Sequence, residues 1–442
     1  MRRCVFPAVV GLALVTFFHV HVWASAKPMV LDLNGCYLRA LVQSETLAVG
    51  GESIRQAEAQ YWQALSAVLP EVNLVARQRL QNRDGNGFVG GNGDDNFNNG
   101  GGGDRIDRFD AQVRVRQTIF SGFRDYQLLG AIRAEERATR ADLVRDRQTL
   151  FLDVSDLYFQ ILSQRRDLEV LADLNLALSD RVAELDQRVK LGRSRKSEWL
   201  AARTTLAENQ VNLEAGRGLL AASRELMAFL LGRPAQTFVL EESNAGGTGN
   251  NEALATYLTK VGQRPDLAAG EERVTASERQ VSSQRAAFWP TVDFQFNWLA
   301  LEEPERDDEW NLFFTATLPV FDGGLRAAEL SESKSLARSS RLTLERLRRL
   351  AEYDVRLAYS NFKANAAQLI RLKEALRISH ENFIAQSEDY ELGRASNLDV
   401  LNALVRKEEV RRRFAEAGYQ IQTDLNALHV AAGEIPPERP SP

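Results

Sequence analysis

The 442-residue chain is poor in the residues from which most catalytic and metal sites are made, with 2 Cys, 3 Met and 4 His. His19, His21 and Cys4 fall in an N-terminal apolar stretch, which leaves His380, His429 and a lone Cys36. A single remaining cysteine excludes an intramolecular disulfide. Two histidines far apart in sequence are too few for most His-based catalytic or metal-centred schemes. Met29 and Met227 alone cannot build a Met-rich route for soft metal ions. Positive charge is not in excess either: 55 Lys+Arg stand against 60 Asp+Glu, a formal net charge of -5, so a phosphate-neutralising nucleic-acid binder is excluded as a class. Beyond the N-terminus there is no run of some 18 apolar residues, hence no candidate membrane-spanning helix. No convergent nucleophile, base and oxyanion-stabilising set is visible, and the chain reads as a non-enzyme with no cofactor, catalytic or metal site.

What is present begins with an export signal. Arg2 and Arg3 precede an apolar run from Val5 to Trp23, which is followed by Ala24-Ser25-Ala26. That basic, apolar, small-x-small order marks residues 1–26 as a secretory signal and Lys27 as the mature N-terminus. A lipid anchor would need a cysteine directly after the apolar core, whereas Cys36 stands about ten residues beyond it, behind Asp32 and Asn34.

The mature chain is doubled. Ala67-Val68-Leu69-Pro70-Glu71-Val72 reads like Ala287-Phe288-Trp289-Pro290-Thr291-Val292 at an offset of 220. Ile119-Phe120-Ser121-Gly122 matches Val320-Phe321-Asp322-Gly323 at an offset of 201, and the same 201 relates Leu191-Gly192-Arg193 to Leu392-Gly393-Arg394. The change of offset places one 19-residue insertion in the Gly/Asn-rich segment between Asp84 and Gly103. The division expected is a first unit over 27–242, a linker over 243–252, a second unit over 253–433 and a disordered tail over 434–442.

Each unit carries two short segments that alternate apolar and polar residues, the period of a strand with two unlike faces. They lie at about 71–80 and 108–119, and at about 291–300 and 310–320. Ten residues suit a tilted strand crossing a bilayer, but alternation alone does not separate this from a half-buried soluble sheet. After each pair comes a stretch without Gly or Pro, residues 131–191 and 325–392. Helices of that length reach roughly 90 Å, too long for a compact domain. Leu150, Leu157, Leu171, Leu178 and Leu185 keep a seven-residue step interrupted only at Gln164, and Val154, Ile161, Leu168, Val182 and Val189 form a second seam interrupted at Asn175. Sustained heptads imply helices packed side by side. The spacing predicts long helices at about 124–191 and 325–392, tight turns at Gly192 and Gly393, and returning helices at about 196–231 and 397–432. The fold class is therefore α+β, mainly α, built from two pseudo-repeats of helix, strand, strand, long helix and helix.

This order, the offset repeat and the turns Leu191-Gly192-Arg193-Ser194 and Leu392-Gly393-Arg394-Ala395 resemble the TolC family of bacterial outer-membrane efflux proteins, from about Leu31 to Gly433. The resemblance implies a homotrimer whose subunits each lend four strands to one 12-stranded barrel in outer-membrane lipid and helices to a long periplasmic tunnel. It implies the channel of a tripartite efflux pump or type I secretion system, working with a periplasmic adaptor (membrane fusion) protein and an inner-membrane pump of RND or ABC type. A surface or periplasmic coiled-coil scaffold or adhesin would explain the heptads, but not four strands placed symmetrically in a doubled chain.

In that family the tunnel narrows at acidic residues just after the second turn. Here Asp399 stands where the first acid is expected, Asn402 replaces the second, and Glu198 is the repeat-related position. Three copies of Asp399 about an axis would raise one another's pKa and favour cations; Ser396-x-x-Asp399 is equally a capping-box pattern. The expected adaptor-docking tips are Lys190, Leu191, Gly192, Arg193 and Ser194 on one turn, and Leu392, Gly393, Arg394, Ala395 and Ser396 on the other. Gly85-x-Gly87-x-x-Gly90 has dinucleotide-loop spacing without a following helix, and Gly90 to Asn98 fits a single calcium-binding nonapeptide, which cannot stack. A surface loop joining two barrel strands is the reading carried for this segment. Trp289, Trp298 and Trp310 suit an interfacial aromatic girdle or ordinary packing.

Overall fold

A computed structural model describes residues 29–82, 105–242, 252–303 and 309–434. The signal over 1–26, the Gly/Asn-rich segment, linker residues 243–251, residues 304–308 and residues 435–442 of the tail lie outside the described residues.

The first unit opens with β1 (Met29–Leu31), α1 (Leu33–Gln43) and α2 (Glu45–Ser66). Asp32 caps α1 by accepting the Gly35 amide at 2.8 Å, and Ser44 caps α2 by accepting the Leu47 amide at 3.3 Å, each satisfying a donor that the first helical turn leaves orphaned. Strands β2 (Glu71–Asn82) and β3 (Arg105–Phe120) follow, then α3 (Arg124–Lys190), α4 (Lys196–Leu231) and β4 (Phe238–Leu240). The second unit runs α5 (Leu254–Lys260), α6 (Pro265–Ala286), β5 (Thr291–Glu303), β6 (Trp310–Thr317), α7 (Leu325–Glu391) and α8 (Asn397–Ala431). Helices α3 and α7 are 67 residues each, about 100 Å long.

Several boundaries differ from the sequence expectation. β2, β3 and β5 extend further toward their hairpins, while β6 stops at Thr317 instead of about 320, since Pro319 has no amide to give a ladder. Leu191, Leu392 and Ala432 are cap residues rather than the last helical ones. Glu434, the first residue of the expected tail, is instead held by Lys260 Nζ at 2.5 Å and by His429. The parallel pairing of β1 with β4 has no signature in segments of three residues each.

The four long strands make one antiparallel sheet in the order β2-β3-β5-β6, with one edge of β2 and one of β6 unpaired among the described residues. Register puts Leu74 beside Val113, Val113 beside Trp298 and Trp298 beside Trp310 on one face; Asn73, Arg114, Asn297 and Asn311 line up on the other. The apolar face is open, with Leu74 75% and Phe314 65% exposed. Trp298 and Trp310 sit exposed toward its hairpin end, and Trp289, before β5, is equally exposed while its Cβ lies against Gly122 at the strand-helix junction. Among the described residues no helix is long and apolar enough to cross a membrane.

Below the sheet, α3 is the central beam, flanked by α6, α4, α8 and α2. Val154, Leu157, Ile161, Leu171, Leu178 and Leu185 are buried along it. One core gathers Tyr37, Phe151, Tyr158, Met227 and Phe238, and a second gathers Tyr257, Val355, Phe362, Ile421 and Leu428. Cys36 is fully buried in the first, where burial and then Asp32 push its thiol up to about 12, so it is chemically inert. On α7, Leu369, Leu376 and Phe383, which stand seven residues apart, are only half-buried; α7 packs mainly on α8 and α6, whereas α3 packs on α6, α4, α8 and α2. Arg264, 2% exposed, ties the C-terminal end of α8 down: it donates to the Ala431 carbonyl at 3.2 Å and pairs with Asp266 at 2.7 Å and Asp354 at 3.1 Å.

Where strand turns into long helix the two units differ. Gly122 (φ 65) and Phe123 (φ 64) in the first unit stand where Gly323 (φ 71) and Gly324 (φ 91) stand in the second. A Cβ on Gly122 would meet Trp289 Cβ at 2.6 Å and the Ala286 carbonyl at 2.8 Å, whereas a Cβ on Gly323 meets nothing within 4 Å. Gly323→Ala therefore costs only the left-handed strain, about 1 to 2 kcal/mol, and Gly122→Ala costs that strain plus a displaced Trp289. Thermal unfolding in detergent should rank Gly122→Ala below Gly323→Ala; equal melting temperatures would show that the Trp289 contact contributes nothing.

Candidate functional site

The end of the molecule remote from the sheet is made of two turns built alike. At the end of α3 the Gly192 amide bonds the Val189 carbonyl at 3.0 Å and the Arg193 amide the Arg188 carbonyl at 2.8 Å. At the end of α7 the Gly393 amide bonds the Tyr390 carbonyl at 3.0 Å and the Arg394 amide the Asp389 carbonyl at 2.7 Å. These are Schellman closures, which need a left-handed residue at the glycine position; Gly192 has φ 68 and Gly393 φ 72. Reversing the chain in so few residues leaves Leu191 and Leu392 68% and 64% exposed, an apolar residue at the apex of each turn.

The charged residues of the tips are distributed around those apices. Lys190 pairs with Asp186 at 2.5 Å, and Arg193, Arg195, Lys196 and Arg394 are exposed. Ser194 donates to Glu198 Oε2 at 2.5 Å. Ala395 is half-buried, its amide bonded to the Asp389 carbonyl at 3.2 Å. Ser396 and Asp399 form a complete capping box: the Asp399 amide donates to Ser396 Oγ at 3.3 Å, while Asp399 Oδ2 accepts the Ser396 amide at 2.9 Å and the Ser396 hydroxyl at 2.6 Å. These bonds, the side-chain one first, hold the Asp399 carboxyl below the usual carboxylate range within one chain. Asn402 is exposed one turn further on. Asp399 and Glu198 each fold onto their own helix start, and no hydrogen bond joins them among the described residues.

What brings the two turns together is a cluster that the sequence did not announce. Arg181 of α3 donates from Nε to Asn397 Oδ1 at 2.6 Å, and Asn397 is 1% exposed. The Arg181 guanidinium lies 4.2 Å over the Tyr390 ring and that of Arg188 lies 5.1 Å from the ring centre, with Arg188 Nη1 donating to the Tyr390 hydroxyl at 3.1 Å. Behind them Leu178, Leu185 and Ala202 pack on Leu401 and Leu404. Tyr390 is visible in the sequence as the last residue of a seven-residue step; Asn397, at a helix start, reads as a cap rather than as a buried partner. Among the described residues no three His, Cys, Asp or Glu side chains come together in a metal-binding arrangement.

Comparison with known proteins gives this geometry its context. The family model described as outer membrane efflux protein matches residues 37–233 and 261–434. The chain belongs to the outer membrane efflux protein family. The pyoverdine export outer membrane protein OpmQ of Pseudomonas aeruginosa is 24% identical over 420 residues, 91% of this chain and 84% of the relative. Outer membrane protein TolC of Salmonella enteritidis is 21% identical over 452 residues, 97% of this chain and 86% of that one. The crystal structure of CusC, whose description concerns transmembrane channel formation, superposes with a TM-score of 0.82 at 18% identity, covering 94% of this chain and 96% of CusC. Members of this family are trimeric channels that work with adaptors and inner-membrane pumps, and the names of these relatives describe export and channel proteins rather than enzymes. As an outer membrane efflux protein, the chain has the TolC-like fold, resides in the outer membrane, extends into the periplasm and serves in efflux.

The capping box generates a pH dependence. Because the folded Asp399 pKa is depressed, its contribution is present above the unfolded carboxylate range and is lost as pH falls through the depressed value. Amide exchange in the first turn of α8 should accelerate below about pH 4 while the middle of α8 stays protected. Ser396→Ala should open the same turn at neutral pH by about 1 kcal/mol. Exchange that ignores both changes would show the box to be idle.

Proposed function

We propose that three copies of this chain close a single 12-stranded barrel and a helical tunnel, forming the passive exit duct of a tripartite efflux pump or type I secretion system. The observation that carries this reading is the four-stranded sheet with two edges unpaired among the described residues and one mainly apolar, partly exposed face, running directly into helices about 100 Å long. Four strands cannot enclose a lumen, and unpaired backbone groups in lipid cost several kcal/mol each. Two copies give eight strands, an interior that side chains nearly fill; three give 12 and leave room for water. A coiled-coil scaffold or adhesin would have no use for an apolar sheet face.

In this reading the two glycine turns are the docking surface for a periplasmic adaptor coupled to an inner-membrane pump of RND or ABC type. The exposed Leu191 and Leu392 supply apolar contact, and the ring of Lys and Arg about the first turn supplies steering. Asp399, with Asn402 one turn above it and Glu198 on the repeat-related helix, forms the periplasmic constriction. Three Asp399 carboxylates around one axis favour cations in the bore, and the capping box keeps them ionised and aimed.

The purified protein should run as a trimer that resists detergent until heated, and should conduct in planar bilayers; a compact, non-conducting monomer would overturn the duct. Asp399→Ala should raise single-channel conductance and weaken cation preference, and unchanged currents would remove the constriction from this position. Photo-cross-linkers placed through residues 190–198 and 391–399 should capture the adaptor, whereas capture only from positions elsewhere on the helices would relocate the docking surface.

A further inference from the structure

The polar face of the sheet is not uniform. Read level by level from the register, residue 118 of β3 aligns Thr118 with Asp293 and Thr315, and residue 116 aligns Glu71, Arg116, Gln295 and Phe313. Residue 114 aligns Asn73, Arg114, Asn297 and Asn311; residue 112 aligns Val75, Gln112 and Leu299; residue 110 aligns Arg77, Asp110 and Glu302. The Arg114 level carries a net positive charge and is separated by the uncharged residue-112 level and the net acidic residue-110 level from a second basic level, where Arg79 aligns with Arg108. The neighbouring acids are committed elsewhere: Glu71 accepts from Asn73 Nδ2 at 2.9 Å and Asp293 accepts from Thr118 Oγ1 at 2.7 Å. Among the described residues no carboxylate lies within ion-pair distance of Arg114.

Arg114 is also held in place. Its Nε donates to Asn297 Oδ1 at 3.2 Å, and the same oxygen accepts Gln295 Nε2 at 3.2 Å while Asn297 Nδ2 donates to Asn311 Oδ1 at 2.6 Å. Asn297 is 5% exposed, so a buried amide fixed by two neighbours orients the guanidinium. Among the described residues no hydrogen bond or ion pair occupies the two terminal nitrogens of Arg114, which form the planar fork that takes a carboxylate or phosphate in bidentate fashion.

We propose that Arg114 is an anion-contacting selectivity residue of the barrel, so that three guanidinium groups at one level of the bore favour solutes bearing carboxylate or phosphate groups. This rests on the trimeric duct reading and adds to it a second filter, opposite in sign to the acidic periplasmic end and some 20 Å along β3 from its junction with α3. Cargo entering past the carboxylates meets the guanidinium level inside the barrel. Because exposed charges act over the screening length, the effect grows at low salt and fades at high salt.

The test is ion selectivity and blockade in planar bilayers with the full-length protein, using citrate as the probe. At about 0.01 M ionic strength, where screening reaches about 30 Å, Arg114→Gln should lower the anion-to-cation permeability ratio roughly twofold; at about 1 M, where it is about 3 Å, the variant and wild type should converge. Arg114→Lys should keep the ratio but shorten citrate blockades, since an ammonium lacks the fork. Wild type alone gives an independent measurement: citrate should block from either side in a concentration-dependent way. Channels that conduct but show no citrate block, or an Arg114→Gln variant with an unchanged permeability ratio at low salt, would overturn the proposal and leave the duct intact. Absence of channels in wild type would instead overturn the duct.

Discussion

The constraint on which the architecture depends is backbone hydrogen bonding at the edges of a sheet. β2 and β6 each present an edge of amides and carbonyls that no strand among the described residues pairs, on a sheet with one mainly apolar face. In water such edges invite aggregation and in lipid they are untenable. Pairing β6 of one copy with β2 of the next removes both problems at once, and it fixes the number of strands in multiples of four. The long helices, the doubled chain and the paired turns are then the periplasmic extension of a wall whose closure is decided in the membrane.

The duplication is geometrically strict and chemically loose. α3 and α7 have the same length and stand 201 residues apart, and α2 and α6 stand 220 apart. Yet the glycine at the strand-helix junction abuts Trp289 in the first unit and open space in the second, and the helix start after the first turn lacks the complete capping box found after the second. In the proposed duct the two units lie side by side in one cylinder, which keeps their backbone geometry alike while their side chains differ.

Much of this was legible in the chain because its signals are long. Heptads from Leu150 to Val189, glycines at matching offsets and alternation in four strands each repeat a physical pattern enough times to be read without a structure. The turns at Gly192 and Gly393 were legible for the same reason, and the bounds of α4 needed no revision. What escaped was short or depended on side-chain reach. Three-residue strands such as β1 and β4 carry no periodicity. Arg181 reaches a buried Asn397 that is 216 positions away in sequence, and Arg114 is poised by Asn297 at a separation of 183. The sequence offered Asp399 two roles, a cap and a constriction acid; the bonds it makes to Ser396 fulfil the first in a single chain.

The equality of α3 and α7 restricts how such a protein can change size. The two turns are knitted together by Arg181, Tyr390 and Asn397, so they must end at a common height. A longer tube cannot come from extending one helix. Residues must be added to both descending and both ascending helices together, in sevens that keep the seams facing one another, each step deepening the tube by about 10 Å. Reach across the periplasm is thus available only in discrete increments, and a single-helix insertion would tear the tip out of register rather than lengthen it.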